Sequence, residues 1–175
     1  ALALGDLDGD GLEDLVVGIP GEDLGNHQNA GQVQIRYNPG GWSQSDTSVQ
    51  TLYQNARGVK NRVESGDQFG YYLEVADLIE DDSLDLIIGI PGESISKKMN
   101  AGAVAILPGL NGQISTGNDQ ILYPYQSSIS GNSQAEALFG LAFTSLNGDL
   151  IIGAPGRNIS GNSAAGAFYF LSYAD

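Results

Sequence analysis

The sequence predicts an all-β fold assembled from a four-stranded antiparallel unit written about three times, the first and last copies incomplete. Three observations predict it. The word Gly18-Ile19-Pro20-Gly21 returns as Gly89-Ile90-Pro91-Gly92 and as Gly153-Ala154-Pro155-Gly156. Thirteen residues after the first glycine of each word comes another shared glycine, Gly31, Gly102 or Gly166, each preceded by alanine. The segments around these words are short, β-branched and bounded by Gly and Pro, with no helical spacing of apolar residues. Glycine fills 25 of 175 positions, about twice the usual ~7%, which suits many short elements joined by turns.

Element by element, Ala1-Leu2-Ala3-Leu4 reads as a strand already under way, and Asp14–Val17 as the second strand of the first copy. Gln32–Tyr37 is the third, with Val33, Ile35 and Tyr37 alternating with Gln34 and Arg36 as a half-buried strand does. Ser48–Gln54 supplies the fourth. Phe69-Gly70 begins the second copy, followed by Asp85–Ile88, Ala103–Leu107 and Gln120–Tyr125. Phe139-Gly140 begins the third, with Asp149–Ile152 and Ala167–Leu171, after which its final strand is missing. The 71-residue offset places the first Phe-Gly just before residue 1. The copies occupy 1–60, 61–130 and 131–175 and sum to about eleven strands. A β-sandwich also has strands every 8–12 residues, but it does not require matched words at a fixed separation. Four-stranded units repeating every 64–71 residues suit the blades of a propeller, in which each twisted sheet buries its faces against its neighbours. Three such blades cannot close by themselves, so closure is expected from further sequence or from oligomerisation.

The 21 Asp and Glu against 7 Lys and Arg give a formal charge of −14. Nucleic-acid affinity comes largely from neutralising phosphates with cationic side chains, so nucleic-acid partners are not expected. Anionic lipid surfaces are disfavoured in the same way, and no apolar run approaches the ~18 residues of a membrane span. No leader is apparent at the start. The chain has no cysteine, which excludes disulfides and thiolate sites. What such a charge attracts is cations.

Asp6-Leu7-Asp8-Gly9-Asp10-Gly11-Leu12-Glu13-Asp14 carries carboxylates at positions 1, 3, 5 and 9 of a nine-residue loop, with glycine at position 6. Calcium takes six to eight oxygens at about 2.3–2.6 Å. Asp6, Asp8 and Asp10 can point inward together from a tight turn, Gly11 permits the reversal, the Leu12 carbonyl comes within reach, and Asp14 closes the site from the next strand. An EF-hand is excluded, because Val17 stands where that motif has its Glu and the flanks read as strands. The second copy aligns as Asp77 to Asp85: Asp77, Asp81 and Asp85 keep positions 1, 5 and 9, while Ile79 replaces a ligand and Asp82 replaces the glycine. Weaker binding is expected there, unless Glu80 or Asp82 compensates. In the third copy Asn147-Gly148-Asp149 spans what takes nine residues elsewhere, leaving only a turn. Five acids in 6–14 and six in 74–85 place 11 of the 21 in or beside two loops. One calcium would bring −14 to −12, and two would bring it to −10.

Phe-Gly, then Asp-x-Asp-x-Asp-Gly-x-x-Asp, then Gly-x-Pro-Gly, then Ala-Gly and a strand, resembles the FG-GAP repeat of integrin α-subunit propellers over nearly the whole chain. The resemblance implies blades whose metal loop joins the first and second strands. Carried over by position, the Ca2+ ligands are Asp6, Asp8, Asp10, the Leu12 carbonyl and Asp14, with Asp77, Asp81, the Ser83 carbonyl and Asp85 as a degraded second set. It also implies an extracellular or cell-surface module for protein interaction or adhesion, acting through inter-blade loops. Two other uses stay open: lectin-like glycan binding, and the non-catalytic repeat region of a secreted hydrolase. Propellers of this family close with about seven blades, more than 175 residues supply, and the chain has no Arg-Gly-Asp.

Enzymatic activity is not expected. His27, the single histidine, lies in the polar stretch Gly25–Asn29, and there is neither a Gly-x-Ser-x-Gly elbow nor a Walker loop. Glu64, Glu74 and Glu93 are conceivable acid–base partners, though 21 acids make some pair inevitable. Trp42 reads either as a binding anchor or as a cap over a blade edge. Lys97-Lys98 reads as a solvated loop, and Asn158-Ile159-Ser160 fits a glycosylation acceptor.

Overall fold

A computed structural model describes residues 1–38, 40, 49–56, 58–126, 129 and 131–173. Eleven strands form: β1 Leu2–Gly5, β2 Asp14–Ile19, β3 Gln32–Arg36, β4 Val49–Leu52, β5 Leu73–Ala76, β6 Asp85–Ile90, β7 Ala103–Leu107, β8 Gln120–Leu122, β9 Phe143–Leu146, β10 Asp149–Ala154 and β11 Ala167–Ser172. They make three antiparallel sheets, β1-β2-β3-β4, β5-β6-β7-β8 and β9-β10-β11, none of them closed. No described residue is helical, so no helix is long and apolar enough to cross a membrane. The all-β expectation and the incomplete-blade architecture hold.

The registers repeat as the words do. Gly5 faces Asp14 across the first hairpin and Ala76 faces Asp85 across the second. The third copy replaces the nine-residue loop by Asn147-Gly148, both at positive φ (51° and 75°), the preferred two-residue hairpin turn. β4 and β8 are shorter than expected, and Ser48 lies outside the described residues. β8 stops at Leu122 because the Tyr123 N–H turns to the Gln126 side chain, Pro124 has no N–H to offer, and Tyr125 adopts a φ of 89°.

Two apolar seams hold the sheets together. Val16, Val33, Ile35 and Leu52 of the first sheet meet Leu73, Leu86, Ile88, Ile90, Ala105 and Leu107 of the second. The other face of the second sheet, Ile87, Val104, Ile106 and Leu122, meets Phe143, Leu150, Ile152 and Ala154 of the third. The middle strands β6 and β7 are therefore buried on both faces, whereas β2 and β10 alternate buried with half-buried positions.

The repeated glycines are the places where one copy touches the next. Phe69, fully buried, donates its N–H to Ala30 O at 2.9 Å, and a Cβ on Gly31 would collide with the Phe69 backbone. A Cβ on Gly18 would collide with Gly70 O. The second seam repeats this: the Phe139 N–H bonds Ala101 O at 3.0 Å, and Cβ atoms on Gly102 and Gly89 would strike Phe139 O and Gly140 O. The Phe-Gly of each copy is thus the key seated between the Gly-x-Pro-Gly and Ala-Gly words of the copy before. Side chains there would force the sheets apart.

Candidate metal centre

The acidic loop joins β1 to β2, so sheet pairing fixes both of its ends. Asp6 organises the turn: its Oδ1 accepts the N–H of Gly9 (2.8 Å) and Asp10 (3.0 Å), and its Oδ2 that of Gly11 (2.9 Å). Asp8 Oδ1 accepts from Asp10 N–H at 3.2 Å, and Asp10 Oδ1 from Leu12 N–H at 2.8 Å. Oxygens of Asp6, Asp8 and Asp10 come within 4.8 Å of one another. Partial burial, together with the charges of Asp14, Asp10 and Asp6, holds the Asp8 carboxyl above its ordinary range against one opposing N–H from Asp10. Leu12 is exposed at the exit of the turn.

Asp14 stands apart from that convergent trio. It is fully buried, with Oδ2 accepting Leu7 N–H and Oδ1 accepting Asn38 N–H, both at 2.8 Å. Its carboxylate ties the loop and the end of β3 to the start of β2.

The second loop copies this network at an offset of 71 residues. Asp77 accepts from Asp81 and Asp82 N–H (3.1 and 3.2 Å), and Asp81 from Ser83 N–H (3.0 Å). Buried Asp85 accepts from Leu78, Ile79 and Gly109 N–H (2.9, 3.1 and 3.2 Å). Burial pushes the Asp85 carboxyl up, and the three N–H groups pull against it. Glu80 and Asp82 take φ of 54° and 65° where the first loop has Gly9 and Gly11. The backbone shape survives the lost glycines at a cost, which is on the order of 1–2 kcal/mol for a non-glycine residue and smaller for Asp. Among the described residues, no convergent group of three acids forms in this loop.

Residues 1–35 match the family model of the FG-GAP repeat. The match covers the first loop and the first Gly-x-Pro-Gly and Ala-Gly words, and the later sheets repeat that unit. No curated protein matches the chain.

The remaining candidates fall outside this FG-GAP loop. His27 sits in the β2–β3 connection, where its backbone pairs with Leu24. The equivalent turns pair Ile95 with Lys98 and Ile159 with Asn162. Lys98 does more than face water, because its Nζ donates to Ser133 O of the third copy at 2.7 Å. Asn158 is exposed, with Oδ1 accepting Ala164 N–H at 2.8 Å. Trp42 lies outside the described residues. Glu74, on β5, accepts from the N–H and Oγ of Ser145 on β9 at 2.8 and 2.6 Å.

Glu64 and Glu93 instead converge with Asp67, their oxygens within 4.8 Å of one another. The sequence reading gave Asp67 no role. Glu64 and Asp67 lie in the connection between the first two sheets and Glu93 in the β6–β7 loop, so no local spacing marks the group. Burial first, then the charge of Glu93, pushes the Asp67 carboxyl up to about 7. Burial raises Glu93 as well, opposed by hydrogen bonds from Asn61 and Gln54.

Proposed function

We propose that this integrin-like propeller module binds calcium in its first FG-GAP loop and serves extracellular protein interaction or cell adhesion. The observation that carries this reading is the convergence of Asp6, Asp8 and Asp10 inside the segment that matches the repeat. An all-oxygen donor set on a tight turn fits a hard divalent cation. Asp6, Asp8, Asp10, the Leu12 carbonyl and Asp14 would hold the ion, which would neutralise crowded carboxylates and fix the hairpin. Asp77, Asp81, Ser83 and Asp85 would form a weaker site lacking one carboxylate. Calcium here is structural, and the chain is a binding module and not an enzyme, with partners engaged through loops at the sheet ends. The extracellular assignment rests on the type of repeat.

Saturating calcium at about 100 times Kd adds ~2.7 kcal/mol. For a chain of this size that is a rise in thermal midpoint of about 5–10 °C. Chelation should reverse it, and Asp8→Asn should weaken calcium affinity by roughly tenfold or more. A midpoint indifferent to chelation would remove the structural-calcium claim. Cells plated on immobilised protein should attach in calcium and release with chelator; attachment that ignores both calcium and Asp8→Asn would count against the adhesion reading.

A further inference from the structure

The geometry points to a second divalent-cation site, built differently from the acidic loop, at the seam between the first two sheets: Glu64, Asp67 and Glu93 as carboxylate ligands of a calcium-class ion. It does not depend on the first loop binding metal. Ligand oxygens about 2.4 Å from one ion lie no more than about 4.8 Å apart, and the oxygens of these three side chains meet that limit. The second observation is an orphan. Asp67 is 1% exposed, its Oδ2 accepts the Glu64 N–H at 2.6 Å, and its buried Oδ1 has no hydrogen-bond partner. A buried carboxylate oxygen left without donor or cation is costly. Among the described residues the one ion pair is Lys60 with Asp119, so no described Lys or Arg pairs with these three acids.

Sheet packing does not demand the cluster. At the next seam the corresponding positions are Gln134, Ala137 and Arg157. Arg157 there donates to Asn132 O at 2.8 Å and lies over the Tyr169 ring. None of the three corresponding positions is an acid, and the nearby Glu136 turns away to accept from Asn100 Nδ2 at 3.0 Å, so three convergent acids at the first seam need another reason. The group is also held in place. Gly92 donates its N–H to Asp67 O at 3.1 Å, and a Cβ on Gly92 would collide with Gly66 O. Gln54 Nε2 donates to Glu93 Oε2 at 2.6 Å, a second layer that orients a ligand. Glu93 also lines an open groove of about 720 Å³ with Asn61, Ser94 and Tyr123, which gives a hydrated ion a way in.

The test is a calcium titration of the whole chain by calorimetry, with bound ions counted by native mass spectrometry, for the wild type, Glu93→Gln and Asp6→Asn/Asp8→Asn. Glu93→Gln should bind one ion fewer than the wild type, and the loop variant should keep the seam ion. In chelator, Asp67→Asn should melt above the wild type because the repulsion is gone, and calcium should shift its midpoint less. Amide NMR of the loop variant decides even where seam variants fold poorly: calcium should move the Glu64 and Gly92 signals. Equal stoichiometry in wild type and Glu93→Gln, or Glu64 and Gly92 amides unmoved by calcium, would overturn the proposal and leave the cluster sharing a proton.

Discussion

Gly89 and Gly153 hold the same place in the same word, yet only one is enclosed. A Cβ on Gly89 would run into Gly140 O, while one on Gly153 would meet only Ala142 O at 3.3 Å. Neither glycine has a positive φ, so substitution tests close approach and not backbone strain. Gly89→Ala should cost about 1–3 kcal/mol, as overpacking does, and Gly153→Ala well under ~1 kcal/mol; urea unfolding of the two variants measures the difference, and equal costs would mean the seam contact is misplaced. Tyr173 carries a pH effect at the same scale. Burial first, then the charge of Asp85, pushes its phenol up to about 12, against ~10 in an unfolded chain. The folded state therefore keeps this proton where the unfolded state has released it. The contribution is complete below pH ~10 and is lost as pH rises through about 12. Tyr173→Phe should flatten that part of the stability curve, and unchanged alkaline midpoints in the variant would refute the assignment.

Each acidic loop is held by a carboxylate latch that works even without metal. Removing the Asp14 carboxylate strands the Leu7 and Asn38 N–H groups, so Asp14→Ala should cost about 2–4 kcal/mol even in chelator, and more in calcium, where a ligand is lost as well. Asp8→Ala, whose carboxylate accepts one long bond at the surface, should cost little in chelator and act mainly through lost calcium affinity. Melting both variants with and without calcium separates latch from ligand, and a calcium-dependent Asp14→Ala cost confined to the bound state would deny Asp14 the latch role. The spacing of Asp6, Asp8 and Asp10 was legible in the sequence because the turn that gathers them is local. The latch was not, because one of its donors, Asn38, lies 24 residues beyond Asp14. The strand plan was legible for the same local reason, since Gly and Pro punctuate β-branched runs in every copy. The ends of β4 and β8 were hidden, as at β8, where a side-chain acceptor and a proline decide the stop. Replacement of Gly11 by Asp82 predicted a weakened second loop, yet the backbone keeps the same turn with Asp82 at positive φ. The Glu64–Asp67–Glu93 group was invisible for a stronger reason, since it forms only when the segment before β5 folds against the β6–β7 loop, 26 residues further along the chain.

Across the whole molecule, the two outward faces are the two halves of a seam that the chain already builds twice. Leu2 and Leu4 stand 71% and 56% exposed on the first sheet, at the positions that Leu73 and Val75 occupy against the first seam. Phe168 and Phe170 stand 76% and 60% exposed on the third sheet, at the positions that Val104 and Ile106 occupy in the second seam. The face of the third sheet is thus the kind that receives a neighbour, and the face of the first sheet is the kind that docks. Such surfaces are complementary to each other and not to themselves, so contact between copies would be heterologous, head to tail. Strand β3 of the first sheet tempers this, because Gln32, Gln34 and Arg36 stand where the second sheet has Ala103, Ala105 and Leu107. Docking is therefore expected at strands β1 and β2, and a concentration-dependent equilibrium is predicted in place of a permanent assembly. Light scattering over a range of concentrations should show molar mass rising above the monomer's 18.3 kDa. Phe168→Ser/Phe170→Ser should return it toward the monomer. The exposed side chains contribute little to the fold, so the variant's circular dichroism and melting at low concentration should match the wild type. A monomer at every concentration, or association unaffected by the double variant, would mean that these faces do not dock on each other.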